Sequence, residues 1–171
     1  MLTHHDCMHT MAPQEHCNLP PSVETQQQQQ QQQLFVIRHG DRWDYSDPAW
    51  LDSAKRRGDP PLSTLGHQQA RETGQFLDKL LTGFITSHDK ITWLSSPFLR
   101  TLQTSDVALN AFQGIADSAK IKILPEYSIF EMDGHDGELH KDLPDMEERK
   151  LYFPRLDESY ESLFVPELPG K

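Results

Sequence analysis

The sequence predicts an α/β fold, a three-layer αβα arrangement around an open, mainly parallel sheet. Three observations point there. Leu34–Ile37 is a short continuous apolar run, the pattern of a strand buried on both faces, and Ile91–Leu94 and Ile121–Leu124 read as two further strands. Amphipathic stretches of helical period separate them, giving the order β-α-β-α-β. Polar segments rich in Pro and Gly punctuate the elements.

The first run, Leu34-Phe35-Val36-Ile37, stops at Arg38-His39-Gly40. A long loop follows from Asp41 to Pro61, carrying Pro48, Gly58 and Pro60. Ser63 is a candidate N-cap, after which Ala70, Leu77 and Leu81 share one helical face with Phe76 and Leu80 beside it. Ile91-Thr92-Trp93-Leu94 is the second strand. Ser96-Pro97 then offers an N-cap followed by proline at the first helical position, for a helix running to Ala111 or Phe112. Ile121-Lys122-Ile123-Leu124 is the third strand, expected to halt at Pro125. From there to Lys171 the chain is acidic and holds Pro144, Pro154, Pro166 and Pro169, which predicts loops with one or two short helices.

Of the 171 residues, those from 1 to 33 are rich in His, Pro and Gln and end in the run Gln26–Gln33. Such a tract has no apolar face to bury, so a disordered leader over 1–33 and a folded domain over 34–171 are expected. Mean hydropathy is −0.67. Acidic residues outnumber basic ones 26 to 16, for a net charge of −10, which disfavours a general nucleic-acid binder. No run approaches the roughly 18 apolar residues of a membrane span, so no membrane partner is expected. Without an apolar signal region, and with Cys7 and Cys17 both in the polar leader, the expected location is cytoplasmic.

In a parallel α/β sheet, ligands bind beyond the carboxyl ends of the strands. Arg38, His39 and the Ser95-Ser96 turn would lie at that edge, with Arg42 on the same loop and Arg100 near the start of the second helix. Guanidinium forks match phosphate oxygens, so arginines converging on one imidazole would form an anion cradle. A surface Arg100 paired with Asp106 is the plainer alternative. Trp43, Tyr45 and Trp50 form either a wall for a leaving group or the packing of a long insertion. Lys55-Arg56-Arg57 reads as a solvated patch. A different class of function, a metal-binding or interaction module, would use His4, His5, Cys7, His9, His16 and Cys17, whose spacing fits no structural zinc pattern.

Leu34–Arg42 resembles the signature of the histidine phosphatase superfamily, the phosphoglycerate mutase-like proteins. Three further segments are similar to that family in the expected order: Pro61–Ala70, Leu94–Thr104 and Glu126–Glu131. The Arg-His-Gly-acid-Arg start, the Phe130-Glu131 pair and Ser159-Tyr160 resemble the suppressor-of-T-cell-receptor-signalling type of phosphatase in particular. The resemblance implies a phosphomonoester substrate, His39 as nucleophile, and Arg38, Arg42 and Arg100 as phosphate ligands. It also implies Glu131 as proton donor, with Glu126 the rival, and needs neither a cofactor nor a metal. Phosphoryl transfer would pass through phosphohistidine to water; a mutase that returns the phosphate to substrate is a lower alternative. The family completes its pocket with a second histidine on a later strand. No apolar strand ending in histidine follows here, and His135 and His140 sit in a polar loop. The domain is therefore expected to be incomplete at its C-terminal end. Whether it turns over substrate, turns it over weakly, or only binds phosphate as a pseudoenzyme is left open.

Overall fold

A computed structural model describes residues 32–85, 91–130 and 146–163. The chain divides into two units, residues 1–35 and 36–171, and the elements all belong to the second. The His/Cys-rich segment and most of the glutamine run lie outside the described residues, as do Glu131, His135 and His140.

The second unit is built around two parallel strands, β1 (Trp93–Ser95) and β2 (Ile123–Pro125), paired Trp93 to Ile123 and Ser95 to Pro125. Both fall on predicted strands, displaced towards their C-terminal ends. β2 ends at Pro125, as expected, and the proline itself closes the ladder opposite Ser95. Proline is tolerated at such a strand end because it forfeits only one donor.

The expected strand at Leu34–Ile37 is not formed. These residues take no regular structure, and Leu34 and Val36 are 87% and 90% exposed. An apolar run becomes a buried strand only when neighbours cover both faces, and among the described residues only Ile37 of this run packs against the core. The sheet is therefore narrower than its three predicted strands suggested.

Two short helices, α1 (Trp43–Ser46) and α2 (Trp50–Ser53), occupy the long loop. The helix α3 (Thr64–Thr82) begins as expected, with Ser63 Oγ accepting from the Gly66 N–H at 3.1 Å. Its buried face is Gly66, Ala70, Gly74 and Leu77, whereas Phe76 is 64% exposed. This face is narrow because α3 packs on another helix, α4 (Leu99–Asn110), with backbones nearly touching. A Cβ on Gly74 would stand 2.2 Å from the Ala108 carbonyl oxygen.

The start of α4 differs from expectation. Its cap position is Phe98, not Ser96, and no side chain of the cap residue closes the turn. The carboxylate of Asp59, forty positions earlier, accepts from the Leu99 N–H at 2.7 Å instead. The Ser96 carbonyl accepts from Thr101 Oγ1 at 2.7 Å, which fastens the turn between β1 and α4. Beneath α4 lies the core of Leu77, Leu102, Leu109, Phe112, Ile115, Ile123, Phe153 and Leu156. The last two come from the segment after α5 (Met146–Tyr152), where the Asp157 N–H donates to the Ile123 carbonyl at 2.9 Å. No helix of the described residues is long and apolar enough to cross a membrane.

Candidate active site

The loop 38–42 lies against the N-terminus of α3, and glycines permit the approach. A Cβ on Gly40 would stand 2.5 Å from the Gly66 carbonyl oxygen, and one on Gly66 only 2.2 Å from that of Asp41. Hydrogen bonds hold this docking. The Asp41 N–H donates to Gln69 Oε1 at 2.8 Å, the Ser63 N–H to the Asp41 carbonyl at 2.9 Å, and the Trp43 N–H to the Pro61 carbonyl at 2.9 Å. Asp41 Oδ2 accepts from Ser63 Oγ at 2.6 Å and from Ser46 Oγ at 2.7 Å, which holds its carboxyl below the usual carboxylate range. The motif Pro61–Ala70 thus has a physical meaning: it is a capped helix start shaped to receive the histidine loop.

A second attachment runs to α4. The Gly40 N–H donates to Thr104 Oγ1 at 3.2 Å, and that hydroxyl donates to the Arg100 carbonyl at 2.7 Å. One helical turn therefore separates the anchor of the loop from Arg100. The Arg100 side chain is almost wholly buried, with its guanidinium 4.1 Å above the Phe98 ring. The pairing of Arg100 with Asp106 is not formed; Asp106 instead faces Arg155 at 3.9 Å and accepts from Asn110.

His39 is half-buried, and its Nδ1 lies 2.7 Å from the Gly40 carbonyl oxygen. A carbonyl only accepts, so Nδ1 carries the proton and Nε2 keeps the lone pair. Burial lowers the imidazole pKa below its ordinary 6.5; the Gly40 hydrogen bond opposes this, and the charges of Arg100, Arg38 and Arg42 add to it. The three arginines singled out in the sequence are therefore the cations whose fields act on this ring.

Arg42 is half-buried and tightly held. Its Nε and NH2 donate to the two oxygens of Asp44 at 3.0 and 2.6 Å, and its guanidinium lies 4.4 Å from the Tyr45 ring centroid. Arg38 is exposed. Trp43 and Tyr45 are 41% and 64% exposed, whereas Trp50 is half-buried. Of Lys55-Arg56-Arg57, the first and last are exposed, while Arg56 donates bidentately to Glu148 at 2.9 and 2.7 Å.

Glu126 follows β2 and was the rival proton donor. The structure overturns that assignment. Glu126 is 1% exposed, and its carboxylate accepts from Ser162 Oγ at 2.5 Å, Tyr160 Oη at 2.6 Å, the Ser128 N–H at 2.8 Å and the Leu163 N–H at 3.1 Å. Burial alone would raise its pKa, but these donors outweigh burial and hold the group well below the usual range. A carboxylate so fixed in its ionised form has no proton to give near neutral pH. It is a clasp on the segment 157–163, which takes no regular structure. Sequence reasoning also missed Asp59, because a carboxylate in a polar loop gives no hint of a helix start forty residues away. Among the described residues, no group of three or more His, Cys, Asp or Glu is disposed to hold a metal ion.

Comparison with known proteins agrees with this geometry. The family model of the histidine phosphatase superfamily (branch 1) matches residues 34–163. Among solved structures, the ecdysone phosphate phosphatase of Bombyx mori in complex with tungstate is similar in fold, with a TM-score of 0.54 at 21% identity. The match covers 78% of this chain and 57% of that one. No curated protein sequence matches. With the family model spanning the histidine loop, both principal helices and both strands, the chain belongs to the histidine phosphatase superfamily, branch 1.

Proposed function

We propose that this protein is a phosphomonoesterase in which His39 accepts the phosphoryl group. The observation that carries the proposal is the imidazole tautomer: Nδ1 is tied to the Gly40 carbonyl, which leaves Nε2 as an unprotonated nitrogen in the field of Arg38, Arg42 and Arg100. In the first step Nε2 attacks phosphorus, an N–P bond forms, the ester P–O bond breaks, and the leaving oxygen takes a proton from Glu131. In the second step water attacks phosphorus and gives a proton back to the Glu131 carboxylate, the N–P bond breaks, and inorganic phosphate departs as the imidazole and the acid are regenerated. Arg38, Arg42 and Arg100 stabilise the charge on the equatorial oxygens throughout. The assignment of Glu131 rests on its motif, strengthened by the removal of Glu126 as an alternative. The tungstate held by the similar Bombyx mori phosphatase, an oxyanion of phosphate-like shape, supports a phosphate-ester substrate. The Arg38–Arg42 and Phe130-Glu131 segments support the finer likeness to the suppressor-of-T-cell-receptor-signalling type.

A rapid acid-free quench of the protein with ³²P-labelled phosphomonoester is expected to trap label on His39 as phosphohistidine, stable in base and lost in acid. Label found on a serine, or none under turnover, would defeat the nucleophile assignment.

The pH dependence follows from the same geometry. Only the neutral imidazole attacks, and its pKa lies below 6.5. Activity should therefore persist through pH 6.5, and the acidic limb of kcat/KM should have its midpoint below that value. A midpoint above 6.5 would mean that His39 gains a proton more easily than the surrounding arginines allow.

A further inference from the structure

Asp59 occupies an unusual place for a loop carboxylate. It is 3% exposed, and each oxygen is engaged by a different element. Oδ1 accepts from the Leu99 N–H at 2.7 Å, the first amide of α4. Oδ2 pairs with the buried guanidinium of Arg149 on α5. The charge of Arg100, the residue after Leu99, also acts on the Asp59 carboxylate.

Helix starts in which the cap residue supplies no acceptor leave early N–H groups without a partner. Here Phe98 is the cap residue, and Asp59 supplies the acceptor from a distance. A carboxylate at a helix N-terminus also complements the helix dipole. Arg100 is the second residue of α4, so whatever fixes the first turn also fixes the guanidinium. Phe98, beneath that guanidinium, moves with the same turn.

We propose that Asp59 is a positioning residue for Arg100: its Oδ1, accepting from the Leu99 N–H, holds the first turn of α4 so that the guanidinium faces the phosphate site. The assignment rests on the phosphate-binding role of Arg100 stated above. It separates two functions of one carboxylate. Oδ1 sets the geometry of the site, and Oδ2 ties the loop into the fold.

Four variants of the full chain separate these functions: Asp59→Ala, Asp59→Asn, Arg149→Met and Arg100→Ala. The readouts are tungstate affinity by calorimetry and the denaturant midpoint. Asp59→Ala is expected to weaken tungstate binding ~10–100-fold, the effect of misplacing one charged group by about 1 Å. Asp59→Asn keeps an oxygen for the Leu99 N–H and is expected to restore affinity to within about threefold of the parent chain. Arg149→Met should keep affinity within the same margin, although it and both Asp59 variants lower the denaturant midpoint by breaking the buried pair. Should Asp59→Ala leave affinity unchanged, or Asp59→Asn and Arg149→Met lose as much as Asp59→Ala, the positioning role is overturned and only a stabilising one remains. Should Asp59→Ala fail to fold, the comparison of Asp59→Asn with Arg149→Met still decides, since a loss of affinity in either contradicts the assignment. Arg100→Ala is the control. Tungstate binding that survives it would refute the phosphate-binding role itself, whereas its loss beside an unaffected Asp59→Ala would refute only the role of Asp59.

Discussion

His39→Ala is expected to reduce hydrolysis of p-nitrophenyl phosphate to the background rate. The removed group is the one that forms a covalent bond to phosphorus, so no other side chain substitutes for it. Arg100→Ala should retain the nucleophile but lose a charge aimed at the developing oxyanion, a deficit of about 10²–10³ in kcat. The contrast between the two is informative. Equal residual rates would mean that the imidazole contributes only as another cation-like ligand. Turnover that survives His39→Ala would end the phosphohistidine mechanism, whatever the motifs suggest. His39→Ala is not expected to alter the fold greatly, because His39 is only half-buried and the loop is docked through the backbone of Gly40 and Asp41.

The second large effect concerns stability. Glu126→Ala is expected to destabilise the chain by about 3 kcal/mol or more, because it strips the acceptor from the Tyr160 and Ser162 hydroxyls and from the Ser128 and Leu163 amides. Against a typical total of about 5–15 kcal/mol, that is a substantial fraction. The same clasp makes stability depend on pH. The folded pKa of Glu126 lies below its unfolded value, so its contribution is fully present above the ordinary carboxylate pKa of about 4.3. It declines as pH falls from there towards the folded pKa. Urea midpoints measured from pH 6 to pH 3 should therefore drop more steeply in the parent chain than in Glu126→Ala. Parallel slopes would mean that the carboxylate is not held ionised by its four donors.

These two glutamates illustrate what a sequence conveys and what it does not. Glu126 and Glu131 sit five positions apart in the same acidic-looking region, and nothing local tells them apart. Only the return of the chain at Tyr160, Ser162 and Leu163 shows that Glu126 is occupied. Ser63 behaves differently. Its capping role was legible because its partner lies three residues away, within the range of local pattern. Ser96 looked equally convincing and was wrong, since a distant carboxylate from the Asp41–Pro61 loop took over the start of α4.

The strand-like segments show the same division. Ile91–Leu94 and Ile121–Leu124 reached the sheet because each meets a partner there, while the more apolar Leu34–Ile37 leaves Leu34, Phe35 and Val36 exposed and brings only Ile37 against the core. A run of apolar residues states a need for burial. Whether it is met depends on neighbours far along the chain. Trp43 and Tyr45 were ambiguous for a related reason, because an aromatic side chain looks alike in sequence whether it packs inward or stands out to solvent.

By itself the sequence determined the α/β class, the parallel pairing of two of its strand-like segments and the capped start of α3, and it pointed to His39, Arg38, Arg42 and Arg100 as candidate site residues. These depend on local periodicity, on capping over three or four residues, and on charges carried by short motifs. Tertiary structure alone decided that Asp59 closes the start of α4, that Glu126 is a buried clasp rather than an acid, and that the first apolar run is left largely uncovered. Each of those outcomes turns on a partner 30 or more residues away or on the absence of one, and desolvation and hydrogen bonding over such separations are properties of the folded chain.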